Sequence, residues 1–330
     1  KQLQIVFEGD ERSLFLCMNK KLLVVGTMAY DAIETPFHKV DRILGGAATY
    51  IALATSKFSA NCGLVSVIGD DFADADLAKL TKLGIDAAGV EKVAGGKTFF
   101  WSGRYHDDMN TRTTLDTQLN VLENFSPKVP DAFKDSQVVV IGNLHPAVQK
   151  MALEQLDSTE RFVLLDSMNF WMEHFRAELD EVIAMVDLIS INDEEARLLT
   201  GEYSLTKAAA KIHAMGPKYV IIKKGEHGAQ LYGEGKVFIA SAFPIDQVVD
   251  PTGAGDSFAG GLAGFLTQTA TINFDSLKQA LVVGSVFASF TVEAFGVEAI
   301  EKVQNSELEK RILNFRALTH FNWDDKTLNL

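Results

Sequence analysis

Cysteine is scarce: Cys17 and Cys62 are the only two in 330 residues, too few for a disulfide framework and without the spacing of a thiolate metal site. A reducing, cytoplasmic setting fits that scarcity. Also missing is any apolar run near the roughly 20 residues needed to cross a bilayer as a helix. Positive charge is in short supply, with 31 Lys and Arg against 44 Asp and Glu and a net charge of -13. That balance disfavours nonspecific binding to nucleic acid or to anionic lipid. A phosphorylated ligand would have to be held by local groups against the overall field, and a metal ion would help. Internal repeats, low-complexity tracts and long linkers are absent too. Residues 1–17 lack the cationic start, apolar centre and small-residue cleavage site of a secretory signal. Met18 looks like a natural start, so 1–17 are expected to be an extension of undetermined origin, with no function assigned.

What is present is a globular composition, 47% hydrophobic and 23% charged, in a length that suits one large α/β unit with an appendage. Short apolar runs at 22–27, 62–68, 137–142, 161–166, 187–191 and 219–223 read as strands. Segments at 47–58, 147–156, 172–185 and 205–215 have helical spacing, and 274–294 and 306–318 close the chain as helices. Such alternation predicts a largely parallel sheet covered by helices. In open sheets of this kind ligands gather at the carboxyl ends of strands, where Gly26, Asp166 and Asn192 fall. Two stretches break the pattern, about 32–44 and 98–122, which are rich in β-branched and aromatic residues with Asp107-Asp108-Met109-Asn110 as a turn. They predict a small β appendage, and composition alone does not separate it from an ordinary surface hairpin.

The most informative run is Asp250-Pro251-Thr252-Gly253-Ala254-Gly255-Asp256, followed by Ser257-Phe258-Ala259-Gly260-Gly261. Gly253, Ala254 and Gly255 would let backbone N–H groups approach an anion, and the helix behind them adds partial positive charge. A carboxylate in such a place is repulsive unless it takes a proton from an attacking hydroxyl, which points to Asp256 as a general base. The alternative is a glycine turn capped by Asp256, with Gly260, Gly261 and Gly264 serving helix packing. No Gly-Lys-Ser/Thr follows, which excludes a Walker A loop, and the late position and glycine spacing do not suit a dinucleotide fingerprint.

This ordered run resembles the C-terminal signature of the ribokinase (PfkB-type) carbohydrate kinases, and the resemblance extends from Met18 to the last helix. It implies a ribokinase-like three-layer α/β sandwich with a mostly parallel central sheet and a small β lid over the substrate, residues 18–330 forming the kinase domain. Gly26-Thr27-Met28-Ala29-Tyr30-Asp31 is similar to the family's first strand-end motif, so Asp31 is expected to accept hydrogen bonds from substrate hydroxyls. Gly45-Gly46 resembles the family's di-glycine, where a ligand passes close to backbone. Asn192-Asp193-Glu194-Glu195 has the Asn-x-x-Glu spacing used beside the phosphates and magnesium, although the residues alone also read as a helix cap. Asp166 and Asn169 are candidates for the same cleft, at a wider spacing than the family's usual acid and amide. Lys223, Gly225 and Gly228 resemble the strand and turn that flank the nucleotide, with Lys223 rather than Lys224 expected to point inward and His227 toward solvent. The segment 287–296 is similar to the helix and turn that border adenine.

Two departures matter. Ala29 and Tyr50 stand where pentose kinases of the family commonly carry Asn, which argues against ribose, and Tyr50 offers an aromatic face for a sugar or base. The resemblance implies ATP and Mg²⁺ as cofactors, a sugar or sugar-like acceptor, and a homodimer through the lid as one form of assembly. A nucleoside kinase of the same family, or a non-catalytic nucleotide- or sugar-binding regulator, are the alternatives.

Overall fold

The computed structural model describes residues 20–58, 61–157 and 160–320; the expected 1–17 extension lies outside the described residues. Strand β1 (Leu22–Val25) leads into two strands of a second sheet, β2 (Ala29–Glu34) and β3 (Lys39–Gly45). Helix α1 (Ala47–Thr55), β4 (Cys62–Gly69), α2 (Asp74–Lys82) and β5 (Ile85–Val93) return the chain to the main sheet. A hairpin, β6 (Phe99–Tyr105) and β7 (Arg112–Gln118), completes the second sheet. The chain continues through β8 (Val138–Ile141), α3 (Pro146–Leu153), β9 (Phe162–Leu165), α4 (Asn169–His174), α5 (Arg176–Ile183), β10 (Leu188–Asn192), α6 (Asp193–Thr200), α7 (Leu205–Met215) and β11 (Tyr219–Lys223). It ends with β12 (Ala229–Gly233), β13 (Lys236–Ala240), α8 (Ala254–Thr267), α9 (Phe274–Thr291), α10 (Glu298–Lys302) and α11 (Asn305–Thr319).

The main sheet has nine strands in the order β13-β12-β11-β10-β9-β8-β1-β4-β5. It is parallel from β5 to β11 and antiparallel only at the β11-β12-β13 end. Sequences such as Leu22-Leu23-Val24-Val25 and Val138-Val139-Val140-Ile141 are buried throughout, as expected of parallel strands with helices on both faces. Alternate residues serve opposite sides: Leu22 and Val24 join a core with α1, α8, α9 and α11, whereas Leu23 and Val25 join one with α3, α5, α6 and α7. The expected three-layer α/β architecture is therefore present. Among the described residues no helix is long and apolar enough to cross a membrane.

The expected β appendage is a four-stranded sheet in the order β3-β2-β6-β7. Its strands begin earlier than predicted, at Ala29, because β2 pairs parallel with β6 from Ala29↔Phe99 onward. Other differences have local causes. The predicted helix over 172–185 is two helices, broken at Phe175 (φ -134°, ψ 41°), whose ring packs against His145 and Trp171. The β12-β13 hairpin was not anticipated; its two-residue turn places Glu234 and Gly235 at φ 52° and 69°, the geometry that suits the twist of paired strands. Three small residues let α8 pack closely. A side chain at Gly260 would meet the Ile51 carbonyl, one at Gly261 the Phe287 ring and one at Gly264 the Phe58 ring.

Candidate active site

The carboxyl ends of β9, β10 and β11, the start of α8 and the inner side of the small sheet meet in one cleft. Gly253 caps α8 in the left-handed region (φ 76°), and a side chain there would run into the Tyr50 ring. Glycine is thus required by backbone and by space. The loop before it is pinned by Asp250, fully buried, whose Oδ1 accepts from the Thr252 N–H (2.9 Å) and whose Oδ2 accepts from the Gly296 N–H (3.0 Å). Ala254, Gly255 and Asp256 form the first turn of α8, where N–H groups have no helical partner.

Lys223, the last residue of β11, reaches that turn. Its Nζ donates to Asp166 Oδ1 (3.0 Å), and a carbon added to Gly255 would lie 3.2 Å from the same Nζ. Burial opposes its charge, but Asp166, Glu195 and Asp256 outweigh burial and raise its pKa. The Asp256 carboxyl is pushed up to about 7 by burial and by Asp166, against the opposing pull of Lys223 and Arg112. Perturbed carboxylates of this kind concentrate at sites of proton transfer.

Asn192 and Glu195 form a complete capping box at α6: Asn192 Oδ1 accepts from the Glu195 N–H and Glu195 Oε2 from the Asn192 N–H, both at 2.8 Å. Glu195 is buried, which raises its pKa to about 7, and its field reaches Lys223. Asn169, by contrast, is exposed at the start of α4. Gly225 and Gly228 bound the turn after β11 with φ 53° and 85°; a side chain at Gly228 would strike the Ala240 carbonyl. His227, in that turn, is exposed.

At the other end of the cleft Asp31 is 4% exposed. Gly45 leaves room for its carboxylate, since any side chain there would overlap Asp31 Oδ2, and the Gly46 N–H donates to it. Burial, with Asp250 and Asp256 adding, raises its pKa to about 8. Ala29 is fully buried. Tyr50 requires a correction: at 1% exposure, with its ring against Gly253, it has no open face on which a sugar or base could stack.

Three participants were not foreseen. Tyr105 Oη accepts from Thr252 Oγ1 (3.1 Å), Arg112 faces Asp256 and Glu195 from β7, and Asp250 staples the turn to the end of α9. Arg112 and Tyr105 pair across β6 and β7, and only the strand register, invisible in composition, would have brought them to the cleft.

The chain is similar to known kinases. A cytidine kinase from Thermococcus kodakarensis is 31% identical over 250 residues, covering 74% of this chain and 88% of that protein. A nucleoside kinase from Methanothermobacter thermautotrophicus is 26% identical over 312 residues, covering 85% and 92%. The fold of a Burkholderia thailandensis nucleoside kinase, solved in complex with inosine, superposes with a TM-score of 0.72 at 21% identity, covering 89% of this chain and 96% of that one. The match to pfkB family carbohydrate kinases runs over residues 19–303 and takes in both ends of the cleft, so the chain belongs to the pfkB family of carbohydrate kinases.

Proposed function

We propose that this kinase transfers the γ-phosphoryl group of ATP to a hydroxyl of a nucleoside or a related sugar. The observation that carries the reading is Asp256, a carboxylate with a pKa raised to about 7 in the first turn of α8, directly behind the left-handed Gly253. Near neutral pH it can take the proton of the acceptor hydroxyl as that oxygen attacks in line. The N–H groups of Gly253, Gly255 and Asp256 are placed to stabilise charge on the phosphoryl group in transit, while that of Ala254 donates to the Pro251 carbonyl (3.2 Å). Asp31 accepts from acceptor hydroxyls, and Lys223, held by Asp166, sets positive charge beside Gly255. Gly225 and Gly228 shape the turn along the nucleotide, and 287–296 borders its base. The nucleoside class is supported by the similarity to cytidine and nucleoside kinases.

Mg²⁺ supplies neutralisation of phosphate charge. Among the described residues no group of three or more His, Cys, Asp or Glu could hold a metal ion, which fits a cation that keeps its waters and arrives with the nucleotide. Asp166 and Glu195 would hold it: each commits one oxygen to Lys223 or to Asn192 and keeps the other.

The small sheet serves as the lid, and Phe37 in its β2-β3 turn, Leu115 in β7 and Leu119 just after β7 are 63%, 46% and 44% exposed. That apolar trio supports a homodimer through the lid, checked by light scattering of the wild type and of Leu115→Asp. The cytoplasmic assignment rests on the cysteine content and is checked by cell fractionation. The decisive experiment is a panel of nucleosides, sugars and polyols with ATP, read by ADP release. Failure of every acceptor despite tight nucleotide binding would sink the kinase reading in favour of a binding regulator.

A further inference from the structure

We propose that Arg112 is a catalytic residue, carried over the cleft by the small sheet to bind the phosphoryl group in transit. This rests on the phosphoryl-transfer reading above. Arg112 is the first residue of β7, paired with Tyr105 at the end of β6. Both of its flanks are seated on opposite walls of the cleft. Tyr105 Oη accepts from Thr252 Oγ1 in the Gly253 turn (3.1 Å). Asn110, two residues before Arg112, lies against the turn after β11, where a carbon added to Gly225 would be 2.7 Å from Asn110 Oδ1. The hairpin end therefore bridges the Gly253 turn and the Gly225 turn, with Arg112 between them.

The guanidinium makes no hydrogen bond or ion pair among the described residues, although Arg42, Arg104, Arg176, Arg197 and Arg311 each pair with a carboxylate. Its field instead reaches Asp256, Glu195 and Tyr105. Lys223, the other cation here, is already engaged by Asp166. In a chain of net charge -13, an unpaired arginine among these acids leaves a planar, always-charged donor set for a tetrahedral anion. An arginine so placed acts on the transition state more than on the ground state, because charge spreads onto the equatorial oxygens as the group moves.

The test uses the full chain and its Arg112→Ala and Arg112→Lys variants, with binding of MgADP measured by calorimetry with and without aluminium fluoride. Wild type is expected to bind MgADP more tightly when fluoride completes the transition-state mimic. Arg112→Ala should bind MgADP alone within about threefold of wild type, lose most of the fluoride enhancement and show kcat about a hundredfold lower. Added guanidinium ion should restore part of that kcat, which a loss of fold would not allow. Arg112→Lys should fall between. Enhancement that survives in Arg112→Ala, or an equal loss with and without fluoride, overturns the role of Arg112. Absence of enhancement in the wild type overturns the phosphoryl-transfer reading as well.

Discussion

The two sheets furnish one cleft by opposite means. In β1, β8 and β9 every residue is buried, whereas in β7 every residue is exposed. The main sheet delivers Asp166 and Lys223 from strand ends packed on both faces. The small sheet delivers Asp31, Tyr105 and Arg112, and is tied across the cleft by polar contacts such as Tyr105 to Thr252. On the proposed mechanism, the phosphoryl-transfer groups of the main domain are placed by core packing. Of the groups that meet the acceptor and cover the reaction, Asp31 stands on the buried β2 and Arg112 on the exposed β7, which is able to adjust. The cost of movement differs accordingly: displacing Asp166, Lys223 or Asp31, whose strand β2 is itself buried, means opening a core, whereas displacing Arg112 on the exposed β7 means breaking a few hydrogen bonds.

That comparison is most sharply tested at Asp256. Asp256→Asn is expected to keep nucleotide binding and the fold while lowering kcat by about a hundredfold or more; a near-normal rate in steady-state assays would remove it as the base. Packing comes next. Leu64→Ala in β4, fully buried, should cost about 2–5 kcal/mol, while Leu115→Ala in β7, 46% exposed, should stay within about 0.5 kcal/mol. Urea unfolding of both variants decides it, and comparable losses would mean the small sheet is part of the core. At the acceptor end, Asp31→Ala should raise KM for the acceptor by about tenfold or more and leave KM for ATP near its original value. Parallel changes in both would end the division of labour between the sheets.

The smallest effect is a trade between stability and rate as pH changes. Folded Asp31 holds its proton to about pH 8, and Asp256 and Glu195 theirs to about 7, while in the unfolded chain carboxyls release theirs near about 4. The native state therefore binds more protons across this window, so stability falls as pH rises from about 4 to 8. kcat/KM should climb over the upper part of the same range as Asp256 ionises. Calorimetric Tm without nucleotide should drop by a few degrees between pH 5 and 8, and Asp31→Asn should flatten the portion above 7. A Tm that rises with pH would contradict the placement of these acids.

Much of the fold was legible because parallel strands buried on both faces are spelled as nearly continuous apolar runs, and β1, β4, β8, β9, β10 and β11 all carry that signal, with Ser66 and Ser190 as the interruptions inside β4 and β10. The edge strand β5 mixes exposed and buried positions, and β7 has no buried residue at all, so neither announces itself by hydrophobicity. The break at Phe175 depends on aromatic rings meeting from two segments, His145 and the stretch 170–175. The Asp250–Asp256 turn was legible because its chemistry lies within a few consecutive residues. Arg112 and Tyr105 were not, since their place in the cleft comes from strand register and from a contact with Thr252 about 150 residues away in sequence. Tyr50 was misjudged because its position showed an aromatic ring near the site but not the Gly253 backbone lying against it.

The glycines of α8 carry one more consequence, visible in time rather than in space. Gly260, Gly261 and Gly264 seat the helix against α1, Phe287 and Phe58, and every residue from Ser257 to Thr267 is buried. Amide protons along this helix should exchange with deuterium only when the whole domain opens, whereas those of β7 should exchange through local fraying. On gradual heating, activity should then fade before the main unfolding transition, as the small sheet loosens above a phosphate cradle that is still intact. Cooling from that intermediate range should restore activity within the dead time of mixing, because nothing in the core has to refold.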